Sequence, residues 1–433
     1  LKPREREFLV NKLALLGGTK TRTAPFPAYR TIGEEEKRAV MEVMDSGVLS
    51  QFLGTWSPDF FGGPRVQKLE KEWAAYFKVK HAVSMNSATS GLYAAVGAAG
   101  VGPGDEVIVS PYTMAASATA ALVYGAIPVF ADIDPEIFCL DPASIRARIT
   151  PRTKAIIAVD IFGHPAAFDA IMAIAREHNL VVIEDTAQAP GATYHGRYAG
   201  TLGHMGVFSL NYHKTIHSGE GGVVVTDDDR FAERLQLIRN HAEVVVRGKG
   251  VTDLNNMIGF NYRMTELEAA IASEQLKKLE RLVVPRVEAA DFLTERLKRI
   301  PGLTPPVVRP GVRHGYYVYA LRYEAGVGGV HRDRIVEALR AEGIPCGAGY
   351  VRPIYLEPAY QQRMGYGPNG FPFRCPQNAA RASYERGTCP VCERMHFEQV
   401  ITMGVCHANI TRADLEDVAR GFEKVFANLT ELA

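Results

Sequence analysis

Ser209-Leu-Asn-Tyr-His-Lys-Thr-Ile-His-Ser-Gly-Glu-Gly-Gly222 is the stretch on which the fold turns. Gly206-Val-Phe-Ser209 leads into it, and Val223-Val-Val-Thr226 follows; both read as buried strands. Lys214 therefore sits in a glycine-rich turn between two strands. Desolvation there lowers the pKa of an amine and leaves it neutral enough to attack a carbonyl. On its own, a lysine between two strands is more often a solvated turn residue, so the string needs support from elsewhere in the chain.

Two upstream stretches supply it. Leu180-Val-Val-Ile-Glu-Asp-Thr-Ala-Gln188 is an apolar run ending in an acid. It reads as a buried parallel strand with Asp185 at its carboxyl end, where open α/β sheets place their ligands; the plainer role for Asp185 is a cap on the next segment. His81-Ala-Val-Ser-Met-Asn-Ser-Ala-Thr-Ser-Gly-Leu92 reads as a strand, a small-residue turn and the start of an Ala-rich helix. Small residues let backbone N–H groups approach an anion, and the helix dipole favours phosphate there. The turn is neither a P-loop nor a dinucleotide fingerprint, and Asn86 or Ser87 serves equally as an ordinary helix cap. Thr89, Asp185 and Lys214 follow in that order, about 95 and about 30 residues apart. A phosphate turn, a carboxylate for a pyridinium nitrogen and a Schiff-base lysine together meet the needs of pyridoxal 5'-phosphate (PLP).

The order and the local strings resemble the PLP-dependent aminotransferases of fold type I (the aspartate aminotransferase superfamily). More closely they resemble the DegT/DnrJ/StrS family of sugar aminotransferases. The strings that carry this include Gly63-Pro-Arg-Val-Gln-Lys-Leu-Glu70, Ser110-Pro-Tyr-Thr113 and Gly125-Ala-Ile-Pro-Val-Phe-Ala-Asp-Ile-Asp134. They also include Glu184-Asp-Thr-Ala-Gln-Ala-Pro-Gly191, the lysine string, and Gly259-Phe-Asn-Tyr-Arg-Met-Thr-Glu-Leu-Glu-Ala-Ala270. The resemblance runs from about Leu15 to the C-terminus. It implies an α/β fold of type I: a mostly parallel seven-stranded sheet flanked by helices, with a smaller α+β C-terminal domain. The expected division is an N-terminal segment 1–32, a large PLP-binding domain 33–285 and a small domain 286–433.

Carried over residue by residue, the resemblance implies that Lys214 holds PLP as a Schiff base and shuttles the proton. Asp185 pairs with the ring nitrogen and Gln188 with the phenolic oxygen. Ala88, Thr89 and Ser209 give donors to the phosphate. Asn261 matches an asparagine that reaches the phosphate from the neighbouring subunit, which makes a homodimer the minimum functional unit. Met114 departs from the pattern, standing where the family usually has an aromatic ring stacked on the cofactor. Either Tyr112 or a different stacking arrangement serves instead, or the Met114 thioether packs on the ring face. Ser50–Phe61 is longer and more aromatic than usual, so Phe52 or Trp56 either shapes the acceptor pocket or is simply packed.

The activity implied is transfer of an amino group from L-glutamate or L-glutamine to a keto-sugar or keto-cyclitol, by a ping-pong mechanism. Tyr316-Tyr317, with no evident basic diphosphate cluster, leans this toward a small cyclic ketone. A non-sugar ketone is the main rival, because fold does not fix substrate. A PLP-fold sugar dehydratase carries histidine in place of the lysine; here His213 is only the neighbour and Lys214 keeps the register. A non-catalytic homologue is disfavoured by the intact Lys214 and Asp185.

Composition agrees with an enzyme of this kind. A 433-residue chain exceeds one ordinary core. Its 47% hydrophobic and 22% charged content is that of a globular protein, and a net charge of +1 gives no field to steer nucleic acid or anionic membranes. The chain opens Leu1-Lys-Pro-Arg-Glu without a charged-then-apolar signal pattern. Val107–Ala131 carries no charge, but its prolines, glycine and hydroxyls point to strand, helix and strand rather than a membrane span. Six cysteines are too few for a disulfide scaffold in a chain this long. Cys389-Pro-Val-Cys392, near Cys375 and His396, has metal spacing with only one close pair, and the family has a Cys-Pro pair here without metal. No metal site is therefore expected, and reduced, packed thiols point to the cytoplasm. Among the helical stretches, Thr265–Arg296 is expected to break at Pro285.

Overall fold

The computed structural model describes residues 12–432 apart from 325, 327 and 379–381. The opening residues 1–11, read above as lacking a signal pattern, lie outside the described residues. In chain order the first strands are His81–Met85 (β1), Glu106–Val109 (β2), Ile127–Phe130 (β3), Thr153–Val159 (β4), Val181–Asp185 (β5), Thr193–Tyr194 (β6), Arg197–Tyr198 (β7), Met205–Ser209 (β8) and Gly222–Thr226 (β9). All but β6 and β7 join one seven-stranded sheet of order β1-β9-β8-β5-β4-β2-β3. Strands β3, β2, β4, β5 and β8 are parallel neighbours, whereas β9 pairs antiparallel with both β8 and β1. The carboxyl ends of β1, β2, β4, β5 and β8 thus share one edge, and β9 begins at that edge. Strands β2, β3, β8 and β9 are buried at every position. Helices covering both faces explain why these strands are apolar runs rather than alternating patterns.

The helices that bear on the site are Glu34–Ser46 (α1), Pro64–Phe77 (α2), Ala88–Ala98 (α3), Ala115–Val123 (α4) and Glu266–Leu297 (α5). Helix α3 lies close on the sheet: a Cβ at Gly91 would come within 3.0 Å of Val207 and Val224. Two of the family-like strings meet in space. The Glu266 carboxylate accepts the N–H groups of Arg65 (2.7 Å) and Val66 (3.2 Å), satisfying donors that the start of α2 cannot use internally. The charge-free 107–131 stretch is strand β2, helix α4 and strand β3, and no helix among the described residues is long and apolar enough to cross a membrane.

The expected break at Pro285 does not occur. Helix α5 is continuous for 32 residues with Pro285 inside it, starting from a Thr265/Glu268 capping box. Packing on both sides outweighs the proline's lost hydrogen bond. Leu276, Leu279 and Val283 belong to a core under α2 and the sheet, and Ala290, Leu293 and Leu297 belong to a separate C-terminal core. The C-terminal part adds Leu303–Thr304 (β10), Val312–Arg313 (β11), Tyr319–Tyr323 (β12), Gly347–Ala348 (β13) and Val400–Met403 (β14), with Arg332–Ala341 (α6) and Arg412–Ala427 (α7). There β10-β12-β14-β13 form an antiparallel sheet, while β11 pairs with β6. Among the described residues no group of three or more His, Cys, Asp or Glu side chains could hold a metal ion.

Candidate active site

Asp185 closes β5 and is buried. Its Oδ2 accepts the Ser117 hydroxyl at 2.7 Å, and its Oδ1 accepts the Ala187 N–H at 3.2 Å. Burial pushes this carboxyl up, against Ser117, Ala187 and the nearby Lys214 ammonium, which all favour the charged form. Both oxygens retain capacity for one more donor. Lys214 lies in the β8–β9 turn, held by its own N–H to the Asn211 carbonyl at 2.9 Å. The side chain is buried, with Nζ 4.7 Å from the Tyr317 ring centroid. Burial draws its ammonium down to about 8, with Asp185 pulling the other way. This residue is therefore no solvated turn lysine. His213 is the exposed neighbour, its ring beside Tyr212 (5.0 Å) and Tyr317 (6.3 Å).

The strand, small-residue turn and helix start expected around Ser87 are present. Ser87 caps α3, taking the Ser90 N–H on its hydroxyl and the Gly91 N–H on its carbonyl. The N–H groups of Ala88 and Thr89 belong to the set that a helix start cannot satisfy internally. Gly222 of β9 lies directly against this turn; a Cβ there would sit 2.6 Å from the Ala88 nitrogen. Ser209, buried at the end of β8, is the register partner of Gly222, so it lies at the same edge. Asn261 is exposed, and its carbonyl accepts from the Asn86 side chain at 3.3 Å, beside the turn of its own chain. Its Oδ1 accepts from Arg263 Nε at 2.8 Å.

Gln188 is buried, with Oε1 accepting the Phe162 N–H at 2.7 Å and Nε2 donating to the Tyr350 hydroxyl at 3.0 Å. Met114 and Tyr112 separate clearly. Tyr112 is fully buried, its ring meeting Phe162, Tyr350 and His396 edge to face. Met114 is exposed at the N-cap of α4, one turn before the Ser117 that binds Asp185. Of the two, Met114 presents its side chain to the open side. Phe52 proves to be a core residue under the Arg239 guanidinium at 4.7 Å. Trp56 packs on Phe60 and Phe61 and under Lys249.

Three contributors were not read from the sequence: Ser117, Tyr350 and Phe162. A hydroxyl in an apolar helix, one of two there with Thr119 and one turn after a motif residue, was the only available signal for Ser117. Phe162 has a left-handed φ of 60°, a strained geometry for a bulky residue at a site.

The arrangement fits PLP. An amine of lowered pKa, a buried carboxylate with spare acceptor capacity and a helix start cradled against a glycine converge on one sheet edge, and each suits one part of that molecule. Comparison with known proteins agrees. GDP-perosamine synthase of Caulobacter vibrioides is 38% identical over 331 residues, covering 75% of this chain and 84% of that protein. L-glutamine:2-deoxy-scyllo-inosose aminotransferase of Streptomyces paromomycinus is 34% identical over 434 residues, covering 96% and 98%. The X-ray structure of the aminotransferase from Psychrobacter cryohalolentis superimposes with a TM-score of 0.80 at 29% identity, covering 94% of this chain and 100% of the other. The family model matches residues 30–408, and the chain belongs to the DegT/DnrJ/EryC1/StrS aminotransferase family of PLP-dependent enzymes.

Proposed function

We propose that this aminotransferase takes the amino group of L-glutamine, or of L-glutamate, and delivers it to the ketone of a small cyclitol. The observation that carries the acceptor class is extent of match. Relatives named for action on scyllo-inosose compounds align in sequence over 96–98% of this chain. Two tyrosines beside the site support it: Tyr317 over Lys214 Nζ and Tyr350 on Gln188 bring phenol hydroxyls to a region that would face a ring of alcohols.

When bound, PLP supplies an aldehyde to hold the amino group and an electron-withdrawing ring to stabilise charge at the substrate carbon. The chain's own residues do the rest. Lys214 Nζ holds the cofactor and then takes and returns the proton at that carbon, for which a pKa near neutrality is suited. The Asp185 carboxylate, oriented by Ser117, would keep the ring nitrogen protonated. Ala88, Thr89 and Ser209 would bind its phosphate, Gln188 would orient its phenolic oxygen, and the exposed Met114 side chain would be the one available to pack on its ring. Tyr317, whose ring lies over Lys214 Nζ, would keep water from the reacting carbon.

The active unit in this reading is a homodimer, with Asn261 reaching the partner's phosphate. Tyr212 and Ile258 are each 70% exposed, and Leu53 and Val244 are also exposed, so a lone chain leaves several large apolar side chains in water. The division near 285/286 is supported by the change of core along α5. A cytoplasmic location is supported by six free thiols. The test is a donor-by-acceptor screen. Glutamine with a keto-cyclitol is expected to give parallel double-reciprocal lines, with the PLP absorbance band lost on adding donor alone. Turnover of nucleotide-linked keto-sugars in preference to keto-cyclitols would overturn the acceptor assignment.

A further inference from the structure

Tyr29 lies far upstream of the lysine turn, in the extended run before α1, yet its hydroxyl donates to the Thr215 carbonyl at 2.6 Å. Thr215 is the residue after Lys214. The Tyr29 ring is held on two sides: the Arg286 guanidinium lies 4.7 Å from its centroid, and the His407 ring packs at 5.3 Å with a 58° tilt. Burial, reinforced by Arg286, draws His407 down to about 4, so near neutral pH it is an uncharged ring. Arg286 Nη1 in turn donates to the carbonyls of Cys406 (3.0 Å) and Tyr316 (3.4 Å). The residue after Tyr316 is Tyr317, whose ring faces the Lys214 amine. One guanidinium on α5 therefore touches both what holds the lysine turn and what covers the lysine. The same N-terminal run grips the turn again: Thr31 bonds Gln275, whose Oε1 accepts the His217 N–H at 3.4 Å.

Arg286 is only 4% exposed and makes no ion pair with an acid among the described residues, and its Nε lacks a hydrogen-bond partner. A buried cation so incompletely satisfied costs stability relative to an apolar residue of similar size. Packing alone does not account for it, whereas a two-sided clamp does.

We propose that Tyr29 and Arg286 are positioning residues that hold the Thr215 carbonyl and the Tyr316–Tyr317 backbone in fixed relation, so that Lys214 stays desolvated under the Tyr317 ring. The clamp links the seating of the C-terminal part to the amine, because Arg286 holds Tyr316 and Cys406 on that side and Tyr29 on the other. Its catalytic consequence rests on Lys214 being the PLP lysine; its effect on the amine does not.

The experiment uses cofactor-free protein and the Tyr29→Phe variant, which deletes one hydroxyl and keeps the ring, with Arg286→Lys as the charge-conserving companion. Lys214 is labelled with acetic anhydride across pH 6–10 and quantified by peptide mass spectrometry, and hydrogen exchange is followed over residues 210–221. The Lys214 labelling midpoint should lie near 8 in the parent. In Tyr29→Phe a loosened, hydrated turn lets the amine rise toward the 10.5 of a free lysine. Each unit of that rise slows labelling at pH 7 by about tenfold. Exchange should quicken over 210–221 while β1 keeps its protection, and in the loaded enzyme kcat should fall with little change in KM for glutamine. A parent-like labelling curve and exchange rate in Tyr29→Phe would overturn the proposal, as would an equal loss of protection throughout the protein. If Lys214 proved not to carry PLP, borohydride reduction would show it separately and leave these readouts intact.

Discussion

Ser117→Ala isolates a single hydroxyl. Ser117 is fully buried in α4, and its Oγ donates to Asp185 Oδ2 at 2.7 Å. Alanine is the best helix former, so the substitution leaves α4 intact and removes only that donor. A hydrogen bond to a charged group contributes about 1.5–3 kcal/mol, equivalent to about 1–2 pKa units. Burial already raises the Asp185 carboxyl, and Ser117 is the strongest influence opposing it. Losing Ser117 therefore raises it further. In the proposed site the ionised carboxylate is the form that would pair with the ring nitrogen, so PLP retention should be full above the Asp185 pKa and decline as pH falls through it. The decline must move to higher pH by about 1–2 units. Below that limb the dissociation constant of PLP should rise by about 10- to 100-fold. Titrating cofactor absorbance against protein from pH 5 to 9, beside the pH profile of kcat, measures both. An unchanged affinity and an unchanged acid limb would refute the idea that Ser117 tunes Asp185.

Other substitutions bear on neighbouring parts of the site. Asp185→Ala should lower turnover more than phosphate-mediated PLP retention, and near-normal rates would make Asp185 structural. Gly222→Ala places a methyl 2.6 Å from the Ala88 nitrogen, so PLP affinity should fall while β8–β9 pairing persists; equilibrium dialysis measures the former and hydrogen exchange the latter. Mixing inactive Lys214→Ala and Asn261→Ala chains under subunit exchange should restore activity, because one of the two mixed sites then carries both residues. No recovery despite demonstrated exchange would mean that each site is built from one chain.

The strands were the most legible part of the fold. Buried parallel strands are unbroken apolar runs, and Val181–Asp185 and Met205–Ser209 fall within a residue of where the sequence puts them. The helix through Pro285 was not legible, because the cores that hold it straight are assembled from distant segments. Strand β12 begins at Tyr319, beyond Tyr316, whose left-handed φ of 46° interrupts extended backbone and whose carbonyl accepts from Arg286. In the site, Lys214, Asp185 and the Ser87–Thr89 turn stand in strings whose local geometry fixes them. Ser117 and Tyr350 reach the site only by tertiary packing and carry no local signature, and Tyr29 is brought to Thr215 across 186 positions. The choice between Tyr112 and Met114 depended on which side chain faces the core, which spacing does not encode.

The central claim is that Lys214 carries PLP. Reducing the loaded enzyme with borohydride and mapping its peptides tests it most directly. The phosphopyridoxyl group should be found on Lys214, in the peptide that spans Asn211–Gly222, and should be absent from Lys214→Ala. Stoichiometric label on any other lysine, with Lys214 unmodified, would contradict the account.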